Sequence, residues 1–414
     1  MSLVVNLRCV VCGAEYPEGD AWTCPVCGPD EGILDVRYDL EAAGQTLHRA
    51  ALADRPFSLW RYRELLPVEN ADRPPVPHVG WTPILDAPRL AEALGVGRVR
   101  LKDEGRSASN SFKDRASAVA VARAVQEGRT ALACASTGNA ATSLAHAAAV
   151  AGLSAFIFVP RRVPEGKLAQ LLAYGAVVFR VDGTYAEAYA LCSEGCRAFG
   201  WYNRNCAVNP YLVEGKKTGG LELAEQTAAD PPEWVACSVG DGCSIAGIAK
   251  GLVEMKALGL APRVPRMLGV QAAGVAPVLR AFATDRLTVE PGGGTYADSI
   301  NVAVPRNWRK AVRGVRDGGG AYVAVTDDEI RQAVGLTGRL AGVFAEPAAA
   351  AAVAGISAAR RRGLLSAGSD VLAVITGNGL KDVPGALRAL GSPHDIRPSL
   401  ADVDRIVRRR GEGC

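Results

Sequence analysis

Thr130-Ala131-Leu132-Ala133-Cys134-Ala135-Ser136-Thr137-Gly138-Asn139-Ala140-Ala141-Thr142-Ser143-Leu144-Ala145-His146-Ala147-Ala148-Ala149-Val150 carries the decision about the fold. Thr130–Ala135 is an apolar run of strand length. Ser136, Thr137 and Gly138 punctuate it, and Asn139–Ala151 is an alanine-rich stretch too long for a strand, so a buried helix is predicted. A strand that enters a helix through a small polar turn is the first half of a βαβ unit. The alternation continues outward. Strands are predicted at Arg98–Lys102, Ala155–Val159, Val177–Val181, Val235–Val239, Arg266–Gln271 and Val371–Thr376. Helices are predicted at Phe112–Glu127, Pro164–Tyr174, Ser244–Lys256, Asp327–Leu340 and Glu346–Arg361. This pattern implies an α/β chain with mostly parallel sheets. The proline-rich stretch 67–80 reads as an extended connector.

Two further strands end as the first one does. Ser238-Val239 leads into Gly240-Asp241-Gly242-Cys243-Ser244, and Ile375 into Thr376-Gly377-Asn378-Gly379. Ligands of open α/β sheets bind beyond the carboxyl ends of the strands. A helix N-terminus offers free amides to an anion, and glycine lets the backbone come close. The turns at Ser136 and at Gly240 each open a helix, so two anions fit: a substrate carboxylate and a cofactor phosphate. Any one of these turns, taken alone, also fits a plain strand-to-helix connection. Lys113 stands at the mouth of the helix after Ser111-Phe112. A cation there opposes the helix dipole, which lowers the amine's proton affinity and suits a nucleophile. A solvated surface lysine fits that position equally well. Dinucleotide and Walker A signatures are absent, and the four histidines are scattered. His146, on the alanine-rich helix, reads as a core residue.

The 414 residues carry a net charge of only +4 and are 49% hydrophobic, which fits a folded protein with neither nucleic acid nor membrane as its partner. The start, Met1 to Val5, shows no secretory signal, and a cytoplasmic location is expected. Reduced thiols are therefore expected among the eleven cysteines. Cys9-Val10-Val11-Cys12 is followed, after eleven residues, by Cys24-Pro25-Val26-Cys27. Two such knuckles can close a tetrahedral thiolate cage around a structural zinc ion, with Gly13 and Gly28 turning the backbone at positive φ. Four reduced cysteines in a small β module are the simpler alternative. Residues 1–40 are acidic on balance, which opposes a phosphate-binding ribbon. The basic residues Arg405, Arg408, Arg409 and Arg410 read as a solvated helix end.

Several motifs then converge. Ser111-Phe112-Lys113-Asp114-Arg115, Ser136-Thr137-Gly138-Asn139-Ala140-Ala141, Asn209-Pro210 with Glu214-Gly215-Lys216-Lys217-Thr218, Phe344-Ala345-Glu346-Pro347-Ala348 and Ile375-Thr376-Gly377-Asn378-Gly379-Leu380-Lys381-Asp382 occur in this order over about residues 80–385. In these the chain resembles threonine synthases and their relatives in the fold type II, tryptophan synthase β-like family of pyridoxal phosphate (PLP) enzymes, and the N-terminal cysteines resemble the zinc ribbon of many members. The resemblance implies two three-layer α/β/α domains plus the ribbon, divided as 1–40, 41–125 with 205–414, and 126–204. It implies that Lys113 carries PLP covalently and moves protons. Asn139 would bond the cofactor's 3′-oxygen, Gly240, Asp241, Gly242, Cys243 and Ser244 would cradle its phosphate, and Thr376 would face the ring nitrogen. Ser136 and Thr137 would hold the substrate carboxylate.

The expected reaction is elimination and replacement on a small amino acid, foremost O-phosphohomoserine plus water giving threonine and phosphate. Alternatives are dehydration of threonine or serine, and β-replacement on O-phosphoserine as in cysteate synthase. A cofactor-free binding protein on this fold is opposed by intact Lys113, Asn139 and Thr376. One departure concerns the substrate. Threonine synthases usually carry a phosphate-reading arginine two residues before Glu-Gly, where this chain has Leu212. Arg204, Asn205, Lys216 and Lys217 are the candidates to replace it. A homodimer is expected of the family.

Overall fold

The computed structural model describes residues 2–411 except 20, 70, 162–164, 207 and 391, so Met1, Asp20 and Pro164 lie outside the described residues. An antiparallel N-terminal sheet has β1 (Val4–Cys9) between β2 (Glu15–Tyr16) and β3 (Leu34–Tyr38). The chain then lays down β4 (Ile84–Asp86) and β5 (Arg98–Asp103), and leaves for a second sheet of β6 (Ala131–Ala135), β7 (Ser154–Pro160), β8 (Val177–Val181) and β9 (Tyr202–Asn203). It returns with β10 (Trp234–Ser238), β11 (Arg266–Ala272), β12 (Ala321–Val325) and β13 (Asp370–Ile375). The six-stranded sheet has the order β12-β11-β10-β13-β5-β4, parallel except at the β4 edge, and the four-stranded sheet, β8-β7-β6-β9, is parallel throughout. Every residue of β6 and of β10 is buried, which is why they read as unbroken apolar runs rather than alternating ones.

Five helices position the turns: α1 (Lys113–Gln126), α2 (Asn139–Val150), α3 (Tyr211–Gln226), α4 (Cys243–Ala257) and α5 (Pro347–Arg361). The sequence reading anticipates all of these except α3. Gly215, Gly219 and Gly220 fall inside α3, and each glycine costs a helix about 1 kcal/mol relative to alanine. Packing explains them. A Cβ at Gly215 would stand 2.3 Å from the Arg115 carbonyl oxygen of α1, and one at Gly220 would stand 2.1 Å from the Ile248 carbonyl oxygen of α4. Backbone thus meets backbone on both sides of α3, and this close approach fixes the start of α1 relative to the start of α4.

The ribbon takes the conformation its glycines suggested, with φ of +75° at Gly13 and +78° at Gly28. Several of its acidic residues face the body of the same chain. Asp35 pairs with Lys250 at 3.3 Å and Lys310 at 3.1 Å, and Glu31 with Arg309 at 2.8 Å. The basic segment at the C-terminus lies in a helix, Leu400–Gly411. Among the described residues no helix is long and apolar enough to cross a membrane.

Candidate active site

The three glycine-bearing strand ends converge on one cavity of about 780 Å3, bordered by both sheets. β6 delivers Ser136, Thr137, Gly138 and Asn139 to it, β10 delivers Gly240 to Ser244, and β13 delivers Thr376. Lys113 enters from the first residue of α1, whose start is tied to β13 by a hydrogen bond from the Phe112 amide to the Thr376 carbonyl, 2.9 Å. Among the described residues the Lys113 ammonium has one hydrogen-bond partner, the Ser244 hydroxyl at 3.5 Å. Burial, and then the Lys216 ammonium, hold the Lys113 amine below the ordinary lysine range. The direction is the one expected from its place at the helix mouth, but burial is the leading cause.

Gly242 caps α4 at φ +91°, and a Cβ there would meet the Ala311 Cβ at 2.9 Å. Only glycine leaves the amides at the mouth of α4 open to an anion. Asp241 does not face that space freely. Its Oδ1 accepts the Arg306 amide at 2.9 Å, and its Oδ2 accepts the Cys243 thiol at 3.0 Å, so the loop is braced from within. The Ser136 hydroxyl accepts the Gly138 amide at 3.1 Å and shapes the other turn.

Glu346 belongs to this site, although its motif alone assigns it no role. It is buried, and both of its carboxylate oxygens accept the Asn139 amide nitrogen at 3.0 Å. That leaves the Asn139 Oδ1 at the cavity wall buried without a partner among the described residues. A buried acceptor of this kind is suited to a donor on a bound group. Glu346 could have been suspected from a carboxylate placed before a proline at a helix start. Its partner, 207 residues away, could not.

The four candidates for phosphate recognition differ in where their side chains lie. Asn205 lines the cavity, but its Oδ1 accepts the Ala135 amide at 2.9 Å and its Nδ2 reaches the Cys192 sulfur at 3.5 Å, so it orders the β6 end. Lys217 points away, into Glu214 at 2.7 Å, Glu254 at 2.9 Å and the face of Tyr38. Arg204 and Lys216 both line the cavity. Leu212 is fully buried in the apolar core, so the position of the absent arginine is not at the cavity surface. His146 is half-buried and rests edge-on against Tyr174.

In the N-terminal module, the Sγ atoms of Cys9, Cys12, Cys24 and Cys27 lie within 4.8 Å of one another. Cys12 and Cys24 are 3.7 Å apart. Zn–S bonds of about 2.3 Å give a tetrahedron an edge of about 3.8 Å.

A buried amine, an anion cradle at a helix mouth, a second such turn and an orphaned acceptor fit a phosphorylated aldehyde cofactor and a carboxylate substrate. The comparisons agree. The family model described as "Pyridoxal-phosphate dependent enzyme" matches residues 76–377, and the chain belongs to that family. Within it the chain is threonine synthase-like. It is 37% identical to the threonine synthase of Methanosarcina acetivorans, over 91% of this chain and 92% of that one. It is 34% identical to the threonine synthase of Methanocaldococcus jannaschii, over 97% of this chain and 99% of that one. The fold matches solved fold type II structures. Diaminopropionate ammonia lyase from Escherichia coli superposes with a TM-score of 0.66 at 18% identity, over 89% and 93% of the two chains. Threonine deaminase isoform 2 from Solanum lycopersicum does so with a TM-score of 0.61 at 21% identity, over 80% and 83%.

Proposed function

We propose that the chain is a threonine synthase, converting O-phosphohomoserine and water to threonine and phosphate. The observation that carries this is the likeness to a threonine synthase over 97% of the chain, cysteine module included. PLP, when bound, supplies a sink for the negative charge that develops on the substrate carbons. Lys113 is assigned as the amine that holds it and that takes and returns protons, aided by its depressed proton affinity. The amides of Gly240 to Ser244 would hold its phosphate, with Asn139 at its 3′-oxygen and Thr376 at its ring nitrogen. A hydroxyl does not keep that nitrogen protonated as a carboxylate does, which weakens the sink and favours prompt loss of a leaving group over transamination. Ser136, Thr137 and the amides at the start of α2 hold the substrate carboxylate.

The test is product analysis with purified protein. Phosphate and threonine are expected in equal amounts from O-phosphohomoserine. Keto-acid from threonine or serine, with no phosphate from the phosphorylated substrate, would instead establish the dehydratase reading that Leu212 keeps open.

The same proposal includes a structural zinc ion on Cys9, Cys12, Cys24 and Cys27, supported by the spacing of the sulfurs. Four thiolates leave no open coordination position, so the ion stabilises and takes no part in the reaction. Chelation is expected to lower the unfolding temperature while still-folded protein keeps its turnover. Loss of turnover at full foldedness would contradict the assignment. We further propose folding units 1–40, 41–125 with 205–414, and 126–204, supported by one sheet in each, and a cytoplasmic homodimer. Leu380, Leu387, Leu400 and Val407 are 69%, 62%, 82% and 61% exposed, which leaves apolar surface for a second copy. Sedimentation at the mass of one chain would rule the dimer out.

A further inference from the structure

Two cysteines that the reaction does not use line the cavity, and they differ in kind. Cys206 is half-buried, whereas every other described cysteine outside the ribbon is buried. Its sulfur lies 3.5 Å from the Arg204 Nη1 and 3.5 Å from the Lys216 ammonium. Both cations are buried, and among the described residues neither has a carboxylate in contact. Cys243, the first residue of α4, packs against Cys206 in a small apolar cluster with Ile33 and Val213. Its thiol donates to the Asp241 Oδ2 at 3.0 Å. The Cys243 thiol, and then Lys216 and Arg204, hold Cys206 well toward the thiolate, while the same contact and burial keep Cys243 protonated. Elsewhere burial alone pushes the Cys134 and Cys237 thiols up to about 12. The thiolate is the reactive form of cysteine, so an accessible sulfur held between two cations stands apart from the rest.

We propose that Cys206 is an oxidation site, at which a hydroperoxide makes a sulfenic acid that the neighbouring Cys243 converts to a disulfide. In the first step the Cys206 sulfur attacks one oxygen of hydrogen peroxide. An S–O bond forms, the O–O bond breaks and hydroxide leaves, so the sulfur is oxidised by two electrons and the peroxide reduced. In the second step the Cys243 sulfur attacks the Cys206 sulfur. An S–S bond forms, the S–O bond breaks, and the oxygen leaves as water with the proton that Cys243 gives up. Asp241, which already accepts that proton in a hydrogen bond, is placed to pass it on. The bridge has a consequence for the anion cradle. Cys243 then has no proton to donate, so the Asp241 Oδ2 loses its partner and the loop from Gly240 to Ser244 keeps only the brace from the Arg306 amide to Oδ1. It also ties the segment after β9 to the mouth of α4. The oxidation stands whatever amino acid the enzyme takes, and only its effect on turnover rests on the reading of the cavity as a PLP site.

The experiment treats the holoenzyme with hydrogen peroxide, blocks the remaining thiols with iodoacetamide and maps the peptides by mass. The peptides that hold Cys206 and Cys243 are expected as one cross-linked pair, lighter by two hydrogens. Turnover of O-phosphohomoserine should fall at least severalfold in step with the cross-link, and dithiothreitol should reverse both. Cys206→Ser should keep its basal turnover and resist peroxide. In Cys243→Ser the resolving thiol is gone, so the sulfenic acid should persist on Cys206 and be captured there by dimedone. Lys216→Met takes one cation from the thiolate and should slow alkylation of Cys206 at neutral pH at least severalfold. Two free thiols at Cys206 and Cys243 in the peroxide-treated wild type overturn the proposal, as does a cross-link confined to other cysteines. Inactivation that runs unchanged in Cys206→Ser, or a dimedone-negative Cys206 in Cys243→Ser, does the same. If O-phosphohomoserine yields no product in the reduced wild type, the threonine synthase reading fails, while the peptide map still decides the oxidation site.

Discussion

Lys113→Ala is expected to abolish the visible absorbance of the purified protein and to lower turnover by roughly 10^3-fold or more, the scale of a lost proton-transfer group or nucleophile. Lys113 is the amine that faces all three strand-end turns. The neighbouring Lys216 does not stand in for it, because its ammonium is turned to the Cys206 sulfur. In the wild type, borohydride should fix the cofactor's mass on the peptide that contains Lys113, and in the variant on none. The fold should be unaffected. The Lys113 ammonium has a single weak contact, 3.5 Å to Ser244, and burial works against its charge, so removing it relieves a cost instead of creating one. An unchanged circular dichroism spectrum would then attribute the loss to chemistry. An absorbance band that survives in Lys113→Ala, or a fixed cofactor on another lysine, would refute the assignment on which the site is built.

The three strand ends were legible because fully buried parallel strands announce themselves as apolar runs, and because the residues after them are small and polar for a reason: backbone must approach a ligand there. β6 and β10 show both features. What stayed hidden depends on elements that meet only in three dimensions. α3 was invisible because its glycines serve packing against α1 and α4 at the expense of helix propensity. The bond between Asn139 and Glu346, and the meeting of Arg204 with Lys216 around Cys206, join segments that the sequence keeps apart. The choice between Lys216 and Lys217 turns on one residue of helix rotation. Without α3 there was no helix on which to count it.

The second large effect concerns what holds α1 in place. Two residues after Lys113, Arg115 is fully buried and spends its guanidinium on two carboxylates: Glu104 at 2.7 and 2.9 Å, and Glu222 at 2.9 and 3.0 Å. Lys102 also pairs with Glu222, so two cations face two anions, and Thr82 and Thr218 satisfy remaining groups. The network ties the end of β5, the first turn of α1 and the middle of α3. Arg115→Met should lower the unfolding free energy by about 3–5 kcal/mol, because it strands two buried carboxylates with one cation. Glu222→Gln alone should also be costly, and the double variant should cost less than the sum, since the charge that each single change strands is then absent. Denaturant titrations of the four proteins give this cycle directly. The pH dependence follows from Glu222. Burial pushes its carboxyl up, but Arg115 and then Lys102 outweigh this and hold it at about 2, below its ordinary 4.5. A depressed carboxyl stabilises the fold fully above its unfolded value and loses that contribution as pH falls through the folded one. The gap between wild type and Arg115→Met should therefore be widest above pH 4.5 and narrow as pH falls toward about 2. A gap under about 1 kcal/mol, or one that stays constant over that window, would show that the network does not anchor the helix that carries Lys113.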